Sequence, residues 1–254
     1  MTKKRYEKKR PSLCYKLIKR LIRAFYGKYG IRGAENIPGE PVVIVSNHCQ
    51  LHGPLAYELY SPVKRYTWCA GEMMEWKEIP GYAFKDFWSA KPKWTHPFFR
   101  LLSFMIAPLA VLLFNNAETV PVYRDRRLIG TLRTSVRLME EGSSMVIFPE
   151  YASEHNGILC DFRDGFVDLA KLYHKRTGKA VCFVPAYLSP ELRLISFGAP
   201  VRFDPGANAS GERARIKAQL MERITALARE LPPHTVVPYL NIPKKRYPKN
   251  RAEE

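Results

Sequence analysis

VVIVS, residues 42–46, runs without a break into NHCQLHGP, residues 47–54, and this junction decides how the chain is read. An apolar run with no polar alternation suits a strand buried on both faces. YTWCA (66–70), SMVIF (144–148) and AVCFVPAYL (180–188) have the same character, and helical periodicity marks residues 128–141, 165–176 and 211–230. The alternation predicts an α/β fold: a single domain with a mostly parallel, partly mixed central sheet flanked by helices. In such sheets ligands collect just beyond the carboxyl ends of the strands. The residues that follow each apolar run are therefore the candidates, and the first is His48. An imidazole at a strand end suits proton transfer at neutral pH, although a lone histidine also fits a purely structural place.

Working outward, the 254 residues are 46% hydrophobic, enough for a sizeable core, and carry a net charge of +17. That bias calls for an anionic partner: nucleic acid, an anionic membrane, or an acidic carrier or phosphate-bearing substrate. Five well-separated cysteines without a CxxC pair read as reduced thiols. Residues 1–12 form a basic arm, and Leu13, Leu17, Ile18, Leu21, Ile22 and Phe25 then recur at helical spacing among Lys16, Lys19, Arg20 and Arg23. This predicts a basic amphipathic helix over 13–26, packed on the domain or docked on a membrane surface. The charges interrupt any signal-peptide core, so a cytoplasmic chain at the cytosolic face of a membrane is expected. The uncharged run LLSFMIAPLAVLLF (101–114) is short against the roughly 20 residues that a span needs, and Pro108 divides it. A core helix or an interfacial segment is expected there. The predicted organisation is a basic arm and helix at 1–28, the main domain at 29–240 and a charged tail at 241–254.

Three further segments carry chemistry. ETVPVYRDRR (118–127) delivers Arg124 from a short strand, and a guanidinium fork suits phosphate. MVIFPEYASEHNG (145–157) sets Pro149 and the Glu150 carboxylate at a strand terminus, and FVPAYL (183–188) ends a further strand with Pro185. Asn47–His48, Val-Pro-Val-x-Arg, Phe-Pro-Glu and Val-Pro, in this order, resemble the four-motif pattern of the glycerolipid acyltransferase family that includes 1-acylglycerol-3-phosphate acyltransferases. DFRDGFVDLAK (161–171) and ISFGAPV (195–201) are similar to later family segments.

The resemblance implies a membrane-associated O-acyltransferase in which His48 deprotonates the hydroxyl of a lysophosphatidic-acid-like acceptor as it attacks an acyl thioester. Acyl-CoA or acyl carrier protein would serve as co-substrate, with no cofactor and no metal. Asn47, Arg124, Pro149 and Glu150 would line the acceptor end. The family's His-x-x-x-x-Asp pattern reads His48…Gly53 here, so the carboxylate that orients the imidazole is absent. His52 is one position early and lacks the charge, and Glu72 or Glu150 are the carboxylates that could stand in through space. Three other readings follow: a non-catalytic lipid-binding relative, because of Gly53; a metal site on His48 and His52, which lacks the glutamate of a His-Glu-x-x-His motif; and a nucleic-acid binder, which explains the charge and none of the motifs.

Overall fold

The computed structural model describes residues 11–89, 91–123 and 125–251. In chain order its elements are helix α1 (Leu13–Tyr26), strands β1 (Gly30–Arg32) and β2 (Val43–Ser46), α2 (His52–Tyr60), β3 (Arg65–Ala70), α3 (Ile79–Ala83), α4 (His96–Asn116), β4 (Thr119–Val122), α5 (Leu128–Glu140), β5 (Ser144–Ile147), β6 (Glu150–His155), β7 (Cys160–Phe162), α6 (Asp168–Thr177), β8 (Cys182–Ser189), β9 (Leu194–Phe197), β10 (Val201–Arg202) and α7 (Ala209–Glu230). The fold is α/β, with a mixed, mostly parallel sheet flanked by helices. The chain divides into two compact units. One takes the described residues up to Tyr26 with Trp68–Thr134, the other Gly27–Thr67 with the described residues from Ser135 onward.

In the second unit the strands run in the order β1-β9-β8-β2-β5-β3. β2 is parallel to β5 and to β8, and β5 to the first half of β3, while β9 and β10 lie antiparallel to β8. Every residue of β2 is buried, as its unalternated sequence requires. The register sets Val45 beside Ile147 and Ser46 beside Ala186. The chain beyond β2, the start of the β5–β6 connection and the second half of β8 therefore meet at one edge of the sheet. α7 covers β8. Its start is fixed by Asn208, whose Oδ1 accepts from the backbone N–H groups of Ser210 and Gly211. Ile216, Leu220, Ile224 and Ala228, four apart, are all fully buried. Each large member of that stripe contributes about 1.5–3 kcal/mol through burial. The buried Arg65 guanidinium at the start of β3 donates to the Tyr57 carbonyl at 2.9 Å and to Glu58 Oε2 at 2.6 Å, which ties the end of α2 to the sheet.

The first unit is built around α4, and its exposure pattern is the reverse. α4 holds 21 residues and accommodates Pro108 within it, so it extends well beyond the apolar run itself. Of the described helices it is the one long and apolar enough to cross a membrane. Only Ser103 and Ala107 on it are buried, and Phe98, Leu101, Phe104, Met105 and Leu109 are exposed. α1 begins where Asn116 Oδ1 accepts the Ser12 backbone N–H at 2.7 Å. Its buried residue is Tyr15, whereas Leu13, Leu17, Leu21 and Phe25 are exposed. The apolar stripe of α1 is thus not packed on its own unit. Gly71, between β3 and α3, is required by close approach, because a Cβ there would sit 2.2 Å from the Tyr123 ring.

Candidate active site

β2 ends at Ser46, and the next four residues form the turn that carries His48. Cys49 and Gln50 both take left-handed backbone angles, with φ of 47° and 55°. Two consecutive non-glycine residues in that region cost about 1–2 kcal/mol each, so surrounding bonds must fix them. Asn47 supplies the first. Its Nδ2 donates to the Leu188 carbonyl at 3.0 Å and its Oδ1 accepts the Leu188 N–H at 2.8 Å. The side chain thereby imitates a peptide group and continues the pairing of β2 with β8 for one more residue. Cys49 Sγ lies 2.9 Å from Asn47 Nδ2, and burial raises its thiol well above the ordinary range.

Glu150 supplies the second set. Its Oε1 accepts the His48 backbone N–H at 2.7 Å and its Oε2 accepts the Cys160 N–H at 2.9 Å. β6 and β7 form an antiparallel hairpin, and this carboxylate bonds it to the His48 turn. Burial pushes the Glu150 carboxyl up to about 7, with the two N–H groups pulling the other way. Pro149, also buried, accepts from the Arg163 N–H at 3.0 Å.

The imidazole of His48 packs edge-on against Phe148, with centroids 5.1 Å apart, and against Tyr239 at 5.6 Å. Its Nδ1 is buried without a hydrogen-bond partner. Burial lowers its proton affinity to about 4, opposed by the Gln50 backbone, so the ring is neutral across the physiological range. Gly53 faces this ring's own peptide. A Cβ at Gly53 would come 2.3 Å from the His48 carbonyl oxygen and 3.0 Å from Phe148 Cε1. An aspartate cannot be seated at residue 53 on this backbone. The turn is closed by Gly53 N–H to the His48 carbonyl at 3.1 Å.

His52 opens α2, half-buried, with its proton affinity lowered by burial and then by Lys244. Glu72 lies in the 3-10 turn Gly71–Met74 of the first unit. Arg124 falls outside the described residues. Its neighbour Arg127 is engaged, with Asp125 Oδ2 at 2.9 Å and its guanidinium 3.7 Å from the Tyr123 ring centroid. No group of three His, Cys, Asp or Glu side chains among the described residues is arranged to hold a metal ion. The structure thus brings Asn47, His48, His52, Pro149 and Glu150 into one neighbourhood. Gln50, Tyr239 and Tyr247 were not anticipated. Gln50 Nε2 donates to Tyr247 Oη at 3.0 Å and approaches the Leu240 carbonyl at 3.4 Å. Residues 190 and more apart leave no local signal for such contacts.

No curated protein sequence matches the chain. Among solved structures it is similar to the 1-acyl-sn-glycerophosphate (LPA) acyltransferase PlsC from Thermotoga maritima. The sequence identity is 14%, the TM-score 0.45, and the match covers 84% of this chain and 79% of that one. Residues 95–189 match the family model described as Acyltransferase. The matched segment contains Pro149 and Glu150 and begins after His48, so the likeness to that family rests on residues 95–189.

Proposed function

We propose that this protein moves a fatty acyl group from an acyl thioester to the hydroxyl of a lysophosphatidic-acid-like acceptor at an anionic membrane surface. The observation that carries the proposal is His48: a neutral, half-buried imidazole just beyond the carboxyl end of a central strand, with its Nδ1 buried. In this reading Nε2 accepts the acceptor's hydroxyl proton while that oxygen bonds to the thioester carbonyl carbon. The tetrahedral intermediate collapses with loss of thiolate, which takes up a proton. A thioester already carries a good leaving group, so positioning and proton removal are the protein's main tasks. Asn47, Pro149 and Glu150 shape the acceptor end by fixing the turn that presents the ring, and Arg124 is the expected phosphate ligand of the adjoining motif. The donor is acyl-CoA or acyl carrier protein, either of which suits the positive charge.

The exposed apolar residues of α1 and α4, with Lys16, Arg20 and Arg23 exposed on α1, support peripheral or interfacial attachment to a cytosol-facing leaflet. The test is acyl transfer from a panel of thioesters to lysophosphatidic acid. Turnover by the wild type and a loss of about 100- to 10,000-fold in His48→Ala are expected. One observation favours a second reading, a lipid-binding relative without turnover: the buried Nδ1 of His48 has no carboxylate. A folded wild type that binds the lipid and transfers nothing would establish that reading instead.

A further inference from the structure

The charged segment near the C-terminus is tied down at both ends and at its middle. His234 N–H donates to Asn250 Oδ1 at 2.9 Å, and Asn250 N–H returns to the His234 carbonyl at 3.1 Å. Val236 N–H donates to the Pro248 carbonyl at 2.8 Å, and Asn250 Nδ2 donates to the Ala228 carbonyl at the end of α7. The buried pair Tyr187 Oη and His234 Nε2, 2.9 Å apart, anchors this base to β8. Residues 236–248 therefore form a closed loop. Its body returns to the His48 turn, where Gln50 holds Tyr247 and Leu240, and Tyr239 lies against the His48 ring. The stretch between those two tethers is a 3-10 turn, Lys244–Arg246. Its three basic side chains are exposed, and none is hydrogen-bonded or ion-paired with a described residue.

We propose that the turn Lys244–Arg246 is an anion-binding element of the His48 site that takes a phosphate monoester presented by a substrate. The loop is bonded two residues from His48 and touches its ring, so its cations stand at the rim of the site. A second observation is the half-buried imidazole itself, whose Nδ1 lacks a hydrogen-bond partner and whose ring meets the loop's own Tyr239. Lys244 also acts electrostatically on His52, four residues after His48. Three adjacent cations without a counter-charge among the described residues suit a dianionic phosphate, which accepts several charge-assisted bonds at once. The proposal rests on the acyl-transfer reading only for which substrate carries the phosphate: the acceptor's headgroup or the 3′-phosphate of a coenzyme A donor.

The experiment measures binding of glycerol 3-phosphate, coenzyme A and dephospho-coenzyme A to the full chain by calorimetry at fixed ionic strength. The proteins compared are the wild type, Lys244→Ala/Lys245→Ala/Arg246→Ala, its charge-keeping counterpart Lys244→Arg/Lys245→Arg/Arg246→Lys, and Lys16→Ala/Lys19→Ala/Arg20→Ala on α1 as an equal change of net charge. The loop alanine variant is expected to bind a phosphate compound at least about tenfold more weakly, with little change in the other two. Loss confined to glycerol 3-phosphate assigns the turn to the acceptor, and loss confined to coenzyme A, with dephospho-coenzyme A unaffected, assigns it to the donor. Equal loss in the α1 variant, unchanged binding in the loop variant, or no binding to the wild type overturns the proposal. Turnover is not the readout, so an inactive wild type would sink the acyl-transfer reading and leave this result standing.

Discussion

The two units use apolar surface in opposite ways. In the second, β2 is wholly buried, and Asn47 and Glu150 bond the turn that follows it. In the first, the longest apolar helix keeps five of its large side chains exposed, and α1 adds four more. A chain that leaves so much apolar area uncovered in one unit and closes it in the other has two kinds of surroundings to satisfy. The difference separates a closed core from an uncovered apolar surface.

Three experiments probe that contrast, beginning with the largest effect. Gly53→Asp restores the family's carboxylate in sequence but sets a Cβ 2.3 Å from the His48 carbonyl. A loss of about 3 kcal/mol in urea unfolding and no gain in acyl transfer are expected. A more active variant of unchanged stability would mean that the turn yields easily, and the contrast between a rigid and an open unit would fail.

The second experiment concerns pH. The Glu150 carboxyl is raised, so its contribution to stability is full below about 4.5 and lost as pH rises through about 7. The His48 imidazole is lowered, so its contribution is full above about 6.5 and lost as pH falls through about 4. Between about 4.5 and 6.5 the two slopes oppose each other and the wild type should be nearly flat. Glu150→Gln removes one slope and should uncover a rise of up to about 3 kcal/mol between pH 4 and 6.5 in urea melts. A variant as flat as the wild type would show that the His48 turn is open to water. The smallest stability effect is expected in the other unit. Leu101→Asp with Met105→Asp on α4 should change unfolding by no more than about 0.5 kcal/mol while weakening flotation with anionic vesicles about tenfold or more. A large loss of stability with unchanged flotation would make α4 a core helix after all.

Much of the frame was legible in local pattern. α1 spans the residues its periodicity marks, and β2, β5, β8 and α7 fall within two residues of their apolar runs. His48 stood out in the sequence because a polar residue directly follows an unbroken apolar run. The β6–β7 hairpin was not legible: in Glu150–His155 only the first residue is buried, and the strand lacks the apolar alternation that would mark it. The length of α4 was underestimated, because His96, Pro97 and Arg100 disguise a first turn that Pro97 in fact starts well. Pro185, placed as a strand end, lies inside β8, paired with Val45. The bonding roles of Asn47 and Glu150 and the return of Tyr239 and Tyr247 depend on partners 100–200 positions away, which no window of sequence contains.

The Asn47 side chain acts on the sheet as a pivot pin does on a door. Because it holds Leu188 from both sides while its own backbone has already left the ladder, the chain can swing away from the sheet without losing alignment to it. The position of His48 is therefore indexed to β8 rather than to β2. Any change that slides β8 along its axis, however far from the histidine, should misaim the ring by the same step.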